Sequence, residues 1–382
     1  MPLDRYSQAE KLDILRADRR ALHRIPEIRF ELPKTRAYVR SVLEGLKPDC
    51  LQEIAGGIKC VFRADKPEKP AIALRADMDA LCVTEETGLE WASTHEGKMH
   101  ACGHDGHMAS LLLTAREIAR NRASLKRDTV LIFQPAEEGG DGAHGMTDAG
   151  VLHNPEVAEV LGMHVWPDYP VGTLAVKPGP LMASITIVDV IITGRSAHGA
   201  TPSKGCDALL AGAQFVQAVY AALRAKTDPF EPTILSFGQM EAGTARNVVA
   251  AGAVLRGTIR AYSDASEKQV LSIIEQCLRA SVLAYGCTGE VKVPGRHAAV
   301  VNNEELTGRV KALMGGGYAE AAPVLISEDF SDYQKHVPGV FFFTGCRDEA
   351  HTSPLHTGRF WYDEEALLPA EEVFIKAVFE EE

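Results

Sequence analysis

The sequence predicts an α/β fold in which a second, smaller α+β module is inserted into the larger domain. Short apolar runs rich in β-branched residues alternate with longer amphipathic segments in the first half of the chain, which is typical of a sheet with helices on its faces. The pattern changes after KPGP at residues 177–180 and resumes near residue 299. At 382 residues, the chain also exceeds the usual size of a single domain.

The larger domain is predicted from strands and helices on both sides of the insertion. Apolar runs at residues 71–74, 129–133 and 157–165 predict strands, and a helical pattern follows the first of them at residues 108–119. Beyond the insertion we expect a helix near residues 304–314, a strand at VFFF (340–343) and a C-terminal helix from residue 364. The three glycines at 315–317 are read as a helix stop.

The inserted module is predicted to be ferredoxin-like. Its elements follow the order β-α-β-β-α-β, with strands at 186–193, 233–237, 253–260 and 290–293 and helices at 207–224 and 266–285. The predicted division is therefore 1–180 for the first segment of the large domain, 181–298 for the insertion and 299–382 for the second segment.

Composition narrows the class of partner and the compartment. A formal charge of −12 and a pI near 5.6 argue against nucleic acid, because such affinity depends on clustered Lys and Arg. No apolar run reaches the roughly 20 residues that a membrane span needs, and the charged, amphipathic N-terminal stretch does not predict a secretion signal. Eight cysteines without close, repeated spacing favour free thiols in a cytoplasmic enzyme.

The densest set of reactive side chains is HACGHDGH at residues 100–107. One thiol and three imidazoles stand directly before a predicted helix, and Cys and His are strong ligands of first-row metals at neutral pH. We predict metal ligation by Cys102 and His104. His107, three residues on from His104, is expected to lie within the helix instead.

A pair of carboxylates follows the strand at 129–133, in the segment FQPAEEGG at residues 133–140. The ends of strands in α/β sheets are where active sites usually lie. One of Glu137 and Glu138 could hold a metal while the other takes a proton from a metal-activated water and passes it to a leaving amine. A solvated acidic turn is the alternative reading.

Further candidates lie at the ends of other strands. His164 and His356 could complete a ligand set, although a single His on an apolar strand is more often a core residue. Asp77 and Asp79 lie on one side of a strand end because side chains alternate with a period of two. They could be ligands, or acceptors that orient His104.

The insertion carries polar side chains of its own. His198 lies in a loop after a strand, Asn247 follows GTAR, and Arg260 ends a predicted strand. An Arg guanidinium matches a carboxylate in bidentate geometry, so Arg260 could bind the carboxylate of an acyl amino acid. Turn or edge-strand roles are the alternative for each.

Taken together, these segments resemble the aminoacylase and hippurate hydrolase branch of the carboxypeptidase-like metallo-amidohydrolases, which includes plant auxin-conjugate hydrolases. The resemblance covers nearly the whole chain and keeps the motifs in order. They are LHRIPE at 22–27, CGHDGH at 102–107, PAEEGG at 135–140, GMH at 162–164, SEDF at 327–330 and LH at 355–356.

The resemblance implies a zinc-peptidase-like catalytic domain of mixed sheet, with the insertion as a lid and dimerisation domain. It implies two divalent ions, of zinc, manganese, nickel or cobalt, held by Cys102, His104, Glu138, His164 and His356. Glu137 would be the general base, and His198 would stabilise the oxyanion in the active site of the partner subunit. Asn247 and Arg260 match positions that grip the substrate.

Two segments of the insertion depart from the pattern of these relatives. HGATPS at 198–203 replaces a bulkier run ending in Pro-His, and NVVAA at 247–251 lacks the usual Pro and acidic residue. Because these positions belong to the implied substrate and dimer surfaces, the departures concern the acyl preference more than the chemistry.

The sequence thus predicts a metal-dependent amidohydrolase that converts N-acyl amino acids of the hippurate or N-acetyl type to a carboxylic acid and a free amino acid. N-acetyl-diaminopimelate deacetylation and small-peptide carboxypeptidase activity are alternatives within the same superfamily. A cysteine hydrolase using Cys102 would leave Glu137, Glu138, His164 and His356 without a role. An inactive metal-binding or ligand-binding protein is the alternative outside enzymes, and a general base beside a ligand argues against it.

Overall fold

The computed structural model describes residues 3–379, which fall into two compact units. The first unit comprises the chain up to Leu181, Val301–Ala322 and the chain from Asp329 onward. The second comprises Met182–Val300 and Pro323–Glu328. The domain division proposed from the sequence stays a proposal, and it did not anticipate the short second return at Pro323–Glu328.

The first unit begins with two helices and continues as an alternation of strands and helices. Its elements before the insertion are α1 (Gln8–His23), α2 (Pro33–Gly45), β1 (Cys50–Ile54), β2 (Gly57–Phe62), β3 (Lys69–Asp77), α3 (His104–Arg120), β4 (Arg127–Gln134), α4 (Gly142–Asp148), β5 (Val157–Pro170), β6 (Leu174–Val176) and β7 (Gly179–Met182). The second unit contains β8 (Ile185–Thr193), α5 (Ala208–Lys226), β9 (Ile234–Ala242), β10 (Gly252–Arg260), α6 (Asp264–Ala284) and β11 (Thr288–His297). The chain then forms β12 (Val300–Asn302), α7 (Glu304–Leu313), β13 (Tyr318–Glu320), α8 (Ser331–Gln334), β14 (Gly339–Arg347) and α9 (Leu368–Phe379).

An eight-stranded mixed sheet forms the centre of the first unit, with the order β1-β2-β4-β3-β5-β14-β6-β13. The four central strands run parallel, since β3 pairs in parallel with β4 and β5, and β5 pairs in parallel with β14. The register places Asp77 opposite Gln134, Arg75 opposite Gly162 and Phe343 opposite His164. Side chains from four strands therefore meet at one edge of the sheet, as expected for parallel strands.

Continuous burial explains why the central strands read as unbroken apolar runs. In β14, Val340, Phe341, Phe342 and Phe343 are all fully buried, as is usual where helices cover both faces of a parallel sheet. The helix α3 is also buried along almost its whole length. This rigid core holds the strand ends from which the candidate site is built.

The second unit is a four-stranded antiparallel sheet covered by α5 and α6, with the strand order β11-β8-β10-β9. Its element order is β-α-β-β-α-β, as the ferredoxin-like prediction requires. The predicted fold class, a mixed-sheet α/β domain with an inserted α+β module, is confirmed. The glycines at 315–317 follow the end of α7, where they form a short 3-10 turn.

Among the described residues, one helix is long and apolar enough to cross a membrane by length and composition, namely Ala208–Lys226. Its buried side chains, which include Ala211, Phe215 and Val219, recur every four residues and belong to the apolar core of the second unit. This spacing is typical of a helix that covers a sheet.

Candidate metal centre

A tight turn presents Cys102 and His104 at the start of α3. Gly103 between them has a left-handed backbone with φ of 90°, which L-residues rarely adopt. A Cβ at this position would lie 2.4 Å from Cγ2 of Val165, so a side chain is excluded by space as well as by backbone conformation. Only glycine allows the thiol and the imidazole to approach β5 together.

The thiol of Cys102 lies between two imidazoles and beside a carboxylate. Its Sγ is 3.3 Å from Nε2 of His164 and 3.2 Å from Nε2 of His356. Oε1 of Glu138 lies 3.2 Å from Nε2 of His356 and 4.0 Å from Nε2 of His104. Ligands at 2.0–2.3 Å from a tetrahedral ion are separated from each other by about 3.3–3.8 Å, so these spacings fit donors of a shared ion.

The five donors form two overlapping groups. Cys102, His104 and His164 offer three atoms within 4.8 Å of one another, and Cys102, Glu138 and His356 offer a second such set. Cys102 belongs to both, so its sulfur is placed to be shared by two cations. The structure thus brings together all five residues for which the sequence and the resemblance suggested metal ligation.

Two of the histidines are set up as neutral ligands. His104 Nδ1 donates to the backbone oxygen of Asp79 at 2.8 Å, and His164 Nδ1 donates to the backbone oxygen of Val165 at 2.6 Å. Each ring is thereby fixed in the tautomer whose Nε2 lone pair is free for a metal. Among residues 3–379, Nε2 of His104 and Oε1 of Glu138 are buried without a hydrogen-bond partner, which a bound cation would supply.

The ionisation of this cluster also fits a cation site. Burial, together with the nearby Glu138 and Glu137, raises the pKa of Cys102 well above its ordinary value. Burial opposes charge on His104, but the carboxylates of Asp77 and Asp79 outweigh it and raise the pKa of His104 to about 10. Without a cation these groups hold protons, which metal ligation releases. A thiol so strongly protonated is a poor nucleophile by itself.

The loop carrying the paired glutamates is clamped by Asp79. Its Oδ1 accepts the backbone N–H of Glu137 at 2.9 Å, and its Oδ2 accepts that of Glu138 at 3.2 Å. The backbone oxygen of the same Asp79 holds His104. One residue therefore fixes both the donor His104 and the two glutamates. The sequence had left open whether Asp79 is a ligand or an acceptor that orients His104, and it did not indicate the clamp on the glutamate backbone.

His107 is close to the donors, but both of its ring nitrogens are occupied. Nδ1 donates to Oδ1 of Asp77 at 2.7 Å, and Nε2 accepts the backbone N–H of Val165 at 3.0 Å. Asp77 also accepts from Nη1 of Arg75 at 2.7 Å. Asp77, His104 and His107 also lie close enough to form a further donor group. The hydrogen bonds of Asp77 and His107 instead hold the backbone of Val165, the residue after His164 in β5.

The positions of two predicted ligands differ from the expected strand ends. His164 lies inside β5, which continues to Pro170. His356 lies in a loop, with a left-handed backbone at φ of 62°, and its N–H donates to the backbone oxygen of Ala101 at 2.8 Å. That bond ties the loop to the residue before Cys102, a long-range contact that periodicity does not reveal.

The remaining candidates, His198, Asn247 and Arg260, all belong to the second unit. The N–H of Gly199, next to His198, donates to the backbone oxygen of Asn247 at 2.8 Å, so these two loops pair. Arg260 is half-buried and donates from Nη1 to Oγ of Ser327 at 2.8 Å. Burial lowers the pKa of Arg260, and no carboxylate partner is found for it in the described part of the chain.

Sequence reasoning missed the residues that support the site from beneath. Gln134 immediately precedes the PAEEGG segment, and Asp329 belongs to the SEDF segment, yet neither received a role. Both side chains are polar and buried. Gln134 is the last residue of the apolar strand β4, and Asp329 lies just before α8. Buried polar groups require partners, and this requirement was the available signal.

Comparison with known proteins agrees with this geometry. The model of Peptidase family M20/M25/M40 matches residues 73–380. An N-acetyldiaminopimelate deacetylase of Bacillus subtilis is 35% identical over 366 residues, covering 94% of this chain and 96% of the relative. Thermostable carboxypeptidase 1 of Saccharolobus solfataricus is 35% identical over 358 residues, covering 91% and 90% respectively.

A solved structure shows the same likeness over the whole chain. The YXEP protein of Bacillus subtilis, described as a dinuclear metal binding peptidase from the M20 family, is 31% identical with a TM-score of 0.86. The match covers 97% of this chain and 98% of that one. The resemblance drawn from the motifs is confirmed, and the chain belongs to Peptidase family M20/M25/M40, a family of metal-dependent hydrolases that act on amide bonds.

Proposed function

We propose that this protein hydrolyses the amide bond of N-acyl amino acids, of the hippurate or N-acetyl amino acid type, to a carboxylic acid and a free amino acid. The observation that carries the proposal is the pairing of two functions at one loop. Oε1 of Glu138 lies 3.2 Å from Nε2 of His356 among the candidate metal donors. The Asp79 carboxylate accepts the backbone N–H groups of both Glu138 and its neighbour Glu137. This arrangement supports Glu138 as a metal ligand and Glu137, its neighbour, as the general base.

Cys102, His104, Glu138, His164 and His356 would hold two divalent ions, which supply polarisation of the scissile carbonyl and lower the pKa of a water molecule when bound. Glu137 takes the proton from the attacking water and delivers it to the departing nitrogen. Asp79 keeps the backbone of Glu137 in place during both transfers. Amide cleavage requires such a double transfer because an amine leaves poorly without a proton.

His198 is proposed to stabilise the negative charge that develops on the carbonyl oxygen. Its Nδ1 accepts the backbone N–H of Ala200 at 3.1 Å, so in the neutral ring the proton is on Nε2. Nε2–H is then a hydrogen-bond donor on an exposed loop. One such donor is typically worth about 2.7–4 kcal/mol of transition-state stabilisation.

Arg260 and Asn247 are proposed to bind the substrate. A half-buried guanidinium whose described partner is the hydroxyl of Ser327 has capacity for a carboxylate, which every N-acyl amino acid carries. A bidentate pair of this kind gives geometric selectivity for a planar carboxylate. Arg260→Lys should therefore raise KM for N-acyl amino acids much more than it lowers kcat.

A homodimer formed through the second unit is part of the proposal. The strand β9 lies at the edge of its sheet, and Ile234 and Met240 on it are exposed at 43% and 40%. Leu209 and Leu210 on α5 are likewise exposed at 44% and 47%. An unpaired edge with exposed apolar side chains is a template for association with another chain.

Mixing two inactive variants tests whether His198 acts across such a dimer. Glu137→Gln and His198→Ala subunits, unfolded together and refolded as hybrids, would recover part of the wild-type rate if one subunit supplies His198 to the active site of the other. Light scattering would report the oligomeric state of each sample. Dimers without recovered activity would place His198 in its own subunit's site.

N-acetyl-diaminopimelate deacetylation is a second candidate, favoured by the likeness to the Bacillus subtilis deacetylase. Its substrate shares the acyl amide and the free carboxylate with the first. Small-peptide carboxypeptidase activity is favoured in the same way by the relative from Saccharolobus solfataricus. Rates on hippurate, N-acetyl amino acids, N-acetyl-diaminopimelate and dipeptides, measured side by side, rank these candidates.

A cytoplasmic location stays a prediction from the eight free thiols.

A further inference from the structure

The loop that carries both glutamates has a backbone that it would not adopt by itself. Within residues 135–141, Ala136 has φ of 55°, Gly139 of 86° and Asp141 of 58°. Left-handed backbone is unfavourable for Ala and uncommon for Asp. Strained loops of this kind persist only where surrounding contacts over-determine them. Contacts outside the loop must therefore hold its shape.

Both ends of this loop are fixed on one buried carboxylate. Gln134, directly before the loop, donates from Nε2 to Oδ1 and Oδ2 of Asp329 at 2.7 and 2.8 Å. Ala143, the second residue of α4, which follows the loop, donates its backbone N–H to Oδ2 of Asp329 at 3.1 Å. Asp329 is 3% exposed and Gln134 is fully buried. The entry and exit of the loop are thus joined through a single side chain.

A buried guanidinium connects this carboxylate to the neighbouring strand. Arg75, which is 1% exposed, donates from Nε to Oε1 of Gln134 at 2.8 Å and from Nη2 to Oδ1 of Asp329 at 3.0 Å. Its Nη1 donates to Oδ2 of Asp77 at 2.7 Å. Each group in this network accepts or donates in a fixed direction, and in a low-dielectric interior such bonds hold geometry tightly.

We infer that Asp329 is a positioning residue for the reaction, which sets the place of Glu137 by holding both ends of its loop. The inference rests on the proposed role of Glu137 as general base. A base must lie within about 2.6–3.2 Å of the proton it takes, and a misplacement of about 1 Å can cost about 100-fold in rate. Asp79 holds the middle of the loop, and Asp329 with Gln134 and Arg75 holds its ends.

The competing explanation is that Asp329 only stabilises the fold, as a buried ion pair with Arg75. A matched pair of variants separates the two. Asp329→Asn removes the charge and keeps the shape of the side chain. Glu159→Gln makes the same change in another buried ion pair of the first unit, where Oε1 of Glu159 accepts from Nη1 of Arg127 at 2.8 Å. None of the described hydrogen bonds of Glu159 reaches residues 134–143.

Steady-state kinetics with hippurate or the best N-acetyl amino acid, metal content and urea unfolding are measured for both variants as holoenzymes. We expect both to unfold at lower urea concentration than the wild type. Asp329→Asn should keep two ions per subunit and KM within two-fold, while kcat falls at least ten-fold. Glu159→Gln should keep kcat and KM within two-fold.

Three results for Asp329→Asn would overturn the inference. They are a kcat within two-fold of the wild type, a defect that appears only as a raised KM, and a fall in activity that is explained by loss of bound metal. If Asp329→Asn does not fold, Gln134→Met tests the same point without removing a charge. It should lower kcat at least three-fold with KM unchanged, and an unchanged kcat would refute the role.

Failure of the proposed function is recognised separately with Glu137→Gln. If that variant turns over like the wild type, Glu137 is not the base, whatever Asp329 does. If Glu137→Gln is inactive and Asp329→Asn is fully active, the function stands and the positioning role is wrong.

Discussion

Glu371, whose carboxyl is buried on α9, should make a large contribution to the pH dependence of stability. Lys11 Nζ on α1 lies 2.7 Å from Oε2 of Glu371, 3.6 Å from Oε1 of Glu117 and 3.7 Å from Oε2 of Glu372. Glu372 also pairs with Arg5 at 2.5 Å, so Lys11 chiefly faces Glu371 and Glu117. Among the described residues, Oε1 of Glu371 has no hydrogen-bond partner.

Burial raises the pKa of Glu371 from 4.5 to about 7, and the attraction of Lys11 opposes it only in part. Folding therefore favours the protonated carboxyl. Its contribution to stability is fully present below pH 4.5 and is lost as the pH rises through 7. With about 1.36 kcal/mol for each pH unit between the two pKa values, the loss between pH 5 and 8.5 is on the order of 2 to 3 kcal/mol.

Glu371→Gln replaces the carboxyl with a neutral side chain of the same shape and so removes this loss. Relative to the wild type, the variant should gain on the order of 2 to 3 kcal/mol of unfolding free energy between pH 5 and 8.5. Urea unfolding followed by tryptophan fluorescence is a suitable assay, because Trp91, Trp166 and Trp361 all lie in the first unit and report on its unfolding.

The neighbouring Glu372→Gln serves as the control. Burial opposes ionisation of Glu372, but Arg5 outweighs it and lowers its pKa, so this carboxyl stabilises the fold when ionised. Glu372→Gln should therefore lose stability relative to the wild type as the pH rises through the acid range. A difference between Glu371→Gln and the wild type that stays constant from pH 5 to 8.5 would refute the reasoning.

Two further predictions concern the metal centre. Asp79→Asn replaces one carboxylate oxygen that accepts from the glutamate backbone with an amide. Because hydrogen bonds to charged groups contribute about 1.5–3 kcal/mol, kcat should fall about 10- to 150-fold while the metal content stays unchanged. A kcat close to that of the wild type would contradict the role of Asp79 as a clamp. Gly103→Ala places a methyl group 2.4 Å from Val165 Cγ2 and should weaken metal binding at least about ten-fold, measured by titration of the metal-free protein. Gly308→Ala, where nothing lies within 4 Å, is the matched control, and equal metal affinities in the two variants would count against the steric account.

Much of the fold could be predicted from the sequence because its strands are either continuously apolar or strictly periodic. The run 340–343 lies in the first half of β14 (Gly339–Arg347), and the run 71–74 lies in the middle of β3 (Lys69–Asp77). Short strands such as β6 (Leu174–Val176) and β13 (Tyr318–Glu320) were missed, because three residues are too few to show a period. Their strand character comes from pairing with each other and with β14.

The donors of the candidate site could be named from residue type and order, but their support could not. Nothing local indicates that the carboxylate of Asp79 faces two backbone N–H groups of a loop 58 residues later. The contact between Asp329 and Gln134 spans 195 residues. The first contact follows from the parallel pairing of β3 with β4, and the second from the return of a distant segment just before α8. A single sequence contains no direct signal of either.

The account is tested most directly by metal analysis of the purified protein combined with amino-acid release from hippurate and a panel of N-acetyl amino acids. The wild type is compared with Glu137→Gln, before and after chelation. We predict release that is lost on chelation and restored by Mn²⁺, Co²⁺ or Zn²⁺, and a Glu137→Gln variant that keeps two ions per subunit without turnover. Undiminished release from metal-free protein, or an active Glu137→Gln variant, would contradict the central claim.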